Sequence, residues 1–272
     1  YRLPTEWEWR AIADYDGSYL YGCGTDISIQ KANYWYYTGE AYEYANPLEL
    51  SNEPYTNPVG YYPAFGYGLC DMAGNAYEWT SSIHNGDSWV ICGGSWKDTY
   101  NSANVLTSVV VPMNGYTIGD KIGFRVCRDA PSDDPRQMVW VDVNDPGTEG
   151  LEGFNGQISK YETTNAQYCA FLNEALDSGD IRVENFWGLF DVKGNSGAYI
   201  NQTYYSYLED DSGAAIRYID GSFRVIARDG HDMSDHPVLN ISWYGAAAFC
   251  EYYSYRLPTQ SEWTSVADLD GS

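Results

Sequence analysis

Six cysteines, three histidines and a scatter of carboxylates are the side chains of this 272-residue sequence with the most reactive chemistry to offer. Cys23, Cys70, Cys92, Cys127, Cys169 and Cys250 include no CxxC pair, which argues against a zinc ribbon or a dithiol redox motif. Their even number permits disulfides, although a chain this long does not need them for stability. His84, His231 and His236 show no i, i+4 spacing on a predicted helix. His236 falls in an HPV turn before a strand, where packing is the expected role. The carboxylate pairs Glu209–Asp211 and Asp133–Asp134 lie in polar, loop-like stretches that read as solvated. No glycine-rich phosphate loop, nucleophile elbow or HExxH motif occurs.

The elements that position these groups are legible in outline. Hydrophobic residues make up 44% and aromatics 17%, with 27 Tyr and 10 Trp, so a sizeable core forms and a disordered chain is excluded. Twenty-seven glycines and 11 prolines point to many turns. A formal charge of -23 disfavours nucleic acid and anionic membrane surfaces, both of which attract basic proteins. It suits solubility, or a calcium-bearing extracellular protein. No apolar run approaches a membrane span. The sequence starts at Tyr1 without an initiator Met and reads as a segment of something longer.

The first 18 residues, YRLPTEWEWRAIADYDGS, return at 255–272 as YRLPTQSEWTSVADLDGS, with 12 of 18 positions identical. Each copy reads as a helix start, through Thr5 with Glu8 and Thr259 with Glu262 as capping boxes. Thr164 with Gln167 gives a third before AQYCAFLNEAL, and Ser242 caps a helix expected over 243–253. WVICGGSW, IGFRVCR and MVWVDV read as strands, and DAPSDDPR as a linker.

Five segments together resemble the formylglycine-generating-enzyme (sulfatase-modifying factor) family. They are KYETTNAQYCAFLN (160–173), HPVLNISWYGAAAFCEYYSYRLPTQSEW (236–263), YGLCDMAGNAYEWTSS (67–82), CGGSW (92–96) and IGFRVCR (122–128). The resemblance implies an α+β, C-type-lectin-like fold, loop-rich with short strands and few helices. Residues 1–128 resemble the C-terminal half of such a domain and 138–272 the N-terminal half, with 129–137 as linker. A tandem array of such domains accounts for this order and for both RLPT copies. A circular permutation is the rival, which does not account for the second copy.

Family members that oxidise a sulfatase cysteine resemble one another in a GGS-x-x-C-x4-C pattern, whose two thiolates bind the soft ion Cu(I). Laid onto this sequence from Gly93, those positions are Asp98 and Ala103, so the resemblance implies no oxidase. Cys92 and Cys127 fall outside the pattern and read as buried small residues or a disulfide. The family's calcium site maps to Asp71, Gly74, Ala76 and Glu78 in DMAGNAYE, two carboxylates and two backbone carbonyls of the hard-oxygen kind calcium takes. A second family site starts at Asn33 and Tyr34. The aromatic clusters NYWYYTGEAYEY (33–44) and TYYSY (203–207) either pack or present rings to a glycan or protein partner. Asn201 and Asn240 match the glycosylation sequon, the second in a stretch that reads as a buried strand. The expectation is a non-catalytic, calcium-stabilised module, extracellular or at the cell surface, joined to copies of itself or to neighbouring domains of the same polypeptide. The alternatives are a divergent oxidase and a lectin-like binding module.

Overall fold

The computed structural model describes residues 3–15, 18–99, 105–107, 109, 111–128, 138–144, 147–148, 151–152, 155–210 and 213–253. Helix α1 (Glu6–Asp14) is followed by β1 (Trp35–Tyr37), β2 (Tyr42–Tyr44), β3 (Tyr77–Asn85), β4 (Ser88–Cys92), β5 (Val111–Asn114), β6 (Ile122–Gly123) and β7 (Cys127–Arg128). Beyond residue 137 come β8 (Trp140–Asn144), β9 (Gly147–Thr148), β10 (Leu151–Glu152), β11 (Asn155–Ser159), α2 (Asn165–Ser178), β12 (Ile181–Phe186), β13 (Leu189–Gly194), β14 (Thr203–Leu208), β15 (Ile216–Ile219), β16 (Ser222–Val225) and α3 (Trp243–Tyr252). This is the α+β, loop-rich arrangement expected, with short strands and few helices.

Local chemistry explains the elements. Helix α2 starts at Thr164, whose hydroxyl accepts from the Gln167 N–H while the Gln167 side chain accepts from the Thr164 N–H. It stops at Gly179, which takes φ 80. Helix α3 starts at Ser242, whose hydroxyl accepts from the Gly245 N–H. Its first eight residues, Trp243–Cys250, are all buried. Gly245 is there because β14 crosses so closely that a Cβ would stand 2.2 Å from the Tyr204 carbonyl oxygen. The β15–β16 hairpin turns through Asp220–Gly221, both at positive φ, which matches the twist of the flanking strands.

The sheets join the two sides of the 129–137 stretch. The order β5-β4-β3-β6 forms a four-stranded sheet from the first side. In the β7-β11-β8 sheet, Cys127 and Arg128 pair with Ile158 and Gln157 from the second. One buried cluster runs from Leu3, Trp79, Ile91 and Phe124 to Tyr168, Phe171, Ala247 and Phe249. A second packs Trp9, Ile12, Val90, Cys92 and Cys127 against Ile158. Residues 3–127 and 138–250 therefore share a core within one chain.

Several expectations shift. IGFRVCR is two short strands, because Phe124 and Val126 use their carbonyls to accept from the Thr163 and Ser159 N–H groups while Arg125 turns inward. WVICGGSW stops as a strand at Cys92, since Gly93 and Gly94 take φ 91 and 70. Asn240 is not in a strand but at a half-buried bend with φ 59, accepting from the Ser206 N–H. The side chain of Glu8, and residues 254–272 with Thr259 and Glu262, lie outside the described residues.

Candidate functional site

A buried charged centre lies where the two sides of the chain meet. Arg125 and Glu78 are 0% exposed, Glu162 1% and Asp71 7%. Arg125 satisfies all five guanidinium donors: Nε and Nη2 donate to the Glu78 carboxylate at 2.6 and 2.5 Å, Nη2 also to the Cys70 carbonyl at 3.0 Å, and Nη1 to the Ser159 and Lys160 carbonyls at 3.3 and 3.1 Å. The Trp9 indole N–H donates to Glu78 Oε2 at 2.5 Å. Arg125 thus ties β3, the loop before it and β11 into one hydrogen-bonded unit, with α1 attached through Trp9.

Around this pair runs an amide network. Asn75 donates from Nδ2 to Glu162 Oε2 at 2.9 Å and accepts at Oδ1 from the Asn57 N–H and from Asn33 Nδ2. Asn33 Nδ2 also donates to the Tyr55 carbonyl at 2.8 Å. Asp71, at φ 59, accepts from the Gly60 N–H at 2.9 Å. Burial pushes the Asp71 carboxyl up to about 6, against the opposing pull of Gly60 and Arg125. Burial, then the charges of Asp71 and Glu78, push Glu162 well above the usual carboxylate range. Burial would lower the Arg125 pKa, but Glu78 holds it up.

The calcium site implied by the resemblance shares Asp71 and Glu78 with this centre. Three buried carboxylates face one guanidinium, a surplus of negative charge. Among the described residues, Glu162 Oε1 and Asn33 Oδ1 are buried acceptors with no hydrogen-bond donor. Both facts fit a hard cation. Glu78 is the exception, since Arg125 and Trp9 already engage both its oxygens. Among the described residues no three His, Cys, Asp or Glu side chains stand close enough to hold a metal. A cation here would rest on Asp71 with amide and backbone carbonyl oxygens, those of Gly74 and Ala76 among them. Gly74 sits so close to Asn33 that a Cβ would stand 2.1 Å from its carbonyl oxygen. Tyr34 is buried, and its carbonyl accepts from the Ala45 N–H.

At the paired-thiol positions, Asp98 is buried and accepts from the Tyr77 hydroxyl at 2.9 Å and from the Ser95 hydroxyl and N–H at 2.5 and 3.1 Å. Ala103 lies outside the described residues. All six cysteines are buried and none is in a disulfide, Cys92 and Cys127 included. Burial pushes Cys23 up to about 12 and Cys169 to about 11, and Cys92 well above its ordinary value. His84 is exposed on β3, while His236 is buried with Nδ1 3.1 Å from the Thr56 hydroxyl. In TYYSY, Tyr204, Tyr205 and Tyr207 are buried in the core. In the 33–44 cluster, Tyr37 and Tyr42 are exposed, and Trp35 stacks on Tyr44. Sequence reasoning missed Arg125 and Glu162 as members of the centre. The available signal was a lone charge in an apolar run, Arg125 between Phe124 and Val126.

Comparison with known proteins resolves the family. The description "Sulfatase-modifying factor enzyme 1-like domain" matches residues 1–130 and 147–271. The chain belongs to this family. Within the sulfatase-modifying factor family it is similar to the inactive C-alpha-formylglycine-generating enzyme 2 of Bos taurus, 32% identical over 132 residues, covering 46% of this chain and 42% of that protein. It is 38% identical over 84 residues to the formylglycine-generating enzyme of Mycobacterium tuberculosis, covering 30% of this chain and 27% of that one. It is also 39% identical over 92 residues to the serine/threonine-protein kinase pkn1 of Chlamydia caviae, 33% of this chain and 12% of the kinase. The chain thus spans less than half the length of each of these relatives. Among solved structures, Treponema denticola variable protein 1 aligns at 23% identity and a TM-score of 0.34, over 45% of each chain. No helix among the described residues is long and apolar enough to cross a membrane.

Proposed function

We propose that this chain is a non-catalytic module of the sulfatase-modifying factor family that works extracellularly or at the cell surface. The observation that carries the reading is Asp98. Where oxidases of the family have a thiol of the Cu(I) pair, a buried carboxylate accepts hydrogen bonds from Tyr77 and Ser95. Cu(I) prefers soft sulfur, and a carboxylate with its lone pairs committed offers neither a ligand nor a nucleophile. The bovine relative named inactive supports the same reading. Calcium stabilises the module by matching the surplus of buried acceptors around Asp71. The repeated RLPT segment supports a role within a tandem array or a self-assembling filament.

Three measurements test these parts separately. With Cu(I) and a peptide carrying a sulfatase-type cysteine motif, aldehyde formation stays at the protein-free background; formation above it overturns the non-catalytic reading. Chelation lowers the melting temperature; an unchanged melt overturns calcium stabilisation. At a hundredfold excess over Kd the calcium increment is roughly 2.7 kcal/mol. Light scattering should show association at micromolar concentration; a strict monomer overturns self-assembly.

A further inference from the structure

Away from the charged centre, the ends of α2 and α3 and the loop 195–199 line a half-open cavity of about 200 Å³. Its walls carry four aromatic rings, Phe171, Tyr199, Tyr204 and Tyr252, over a floor that includes Ala175 and Ala248. Two carboxylates line it, Asp180 and Glu251, and among the described residues no Lys, Arg or His does. The Ser178 and Ser196 hydroxyls donate to opposite oxygens of Asp180 at 2.6 and 2.5 Å, which holds its carboxyl below the usual range and keeps it ionised. Burial, then the charge of Glu251, pushes the Tyr199 and Tyr204 hydroxyls up to about 12, so both phenols stay neutral.

We propose that this cavity is a binding site for an alkylammonium group. Aromatic faces attract a cation through their quadrupoles, most strongly where the cation is partly desolvated. Two carboxylates supply the counter-charge, and the -23 formal charge of the chain raises the local concentration of cations. The alanine floor and the rings accept the apolar body that a hydrated metal ion lacks. The volume is below the ~300–1,000 Å³ of a drug-sized pocket, so it takes one headgroup rather than an extended ligand. An anion is disfavoured by both carboxylates.

The group has two sources, a quaternary ammonium such as choline or a primary ammonium such as a lysine side chain, and the titration has an arm for each. The intact chain is titrated calorimetrically with choline chloride, with n-butylammonium chloride, and with 3,3-dimethylbutan-1-ol as the uncharged isostere of choline. The expected result is saturable binding of at least one ammonium with a Kd of about 1 mM or tighter. The alcohol should bind at least about tenfold more weakly, as loss of a charge contact predicts. Glu251→Gln alters an exposed position at the end of α3, so it should melt as the parent does and bind more weakly. The proposal is overturned if neither ammonium saturates, if the alcohol binds equally well, or if Glu251→Gln binds unchanged while folded.

Discussion

At the scale of single residues, the interior of this protein is organised by a guanidinium. Desolvating Arg125 and Glu78 is costly, and the cost is offset only because every donor has an acceptor. Removing one partner leaves the other charge buried and unpaired. Arg125→Met is therefore expected to destabilise by about 3–5 kcal/mol, read as a fall in the denaturation midpoint. Arg125→Lys should recover little, because an ammonium cannot reproduce the planar fork. His236 gives a pH-dependent counterpart. Burial, with Arg228 nearby, lowers its pKa from 6.5 to about 4. The unfolded chain then takes up the proton first, so stability is full above pH 6.5 and falls as pH drops toward 4. The loss across that window is on the order of 3 kcal/mol. Replacing His236 with Gln should flatten that part of the stability–pH curve; an unchanged slope would assign the dependence to the carboxylates.

At the scale of elements, close backbone approach matters more than propensity. Gly74 runs beside Asn33 at φ 75, with no room for a methyl. Gly179, at φ 80 behind α2, faces open space, and a Cβ added there would meet nothing within 4 Å. The two positions share the left-handed conformation and differ only in space. Gly179→Ala should cost about 1 kcal/mol, the conformational penalty alone. Gly74→Ala should cost at least about twice that, because Asn33 must move and carry the Asn75 amides with it. Equal midpoints for the two variants would show that the Asn33 contact relaxes freely.

At the scale of the whole molecule, the two sides of the chain complete each other. Leu3, Trp79 and Phe124 share a cluster with Phe171 and Phe249, and Ile158 closes the cluster built by Trp9 and Val90. Burying aliphatic and aromatic side chains is worth roughly 1.5–3 kcal/mol each, so neither side is expected to keep its fold alone. A protease site inserted between residues 130 and 136 and then cut should leave two fragments that co-elute in native gel filtration. Fragments that separate while folded would show that the shared core is dispensable.

Much of this was legible in the sequence because it depends on neighbours in the chain. The Thr164–Gln167 capping box and the start of α3 at Ser242 were read correctly, since a cap is a contact spanning three residues. The motif order gave the family and the absence of the paired cysteines at Asp98 and Ala103 for the same reason. Tertiary structure decided the rest. Asn240 sits in a bend because its backbone bonds to Gly119 and Ser206, far away in sequence. IGFRVCR splits because Arg125 answers to Glu78, 47 residues earlier, and to carbonyls 34 and 35 residues later. Glu162 joined the charged centre only when Asn75, 87 residues before it, came within hydrogen-bonding distance. Charge burial is a property of the folded packing, and no local pattern in the chain encodes which carboxylate oxygen will be left without a donor.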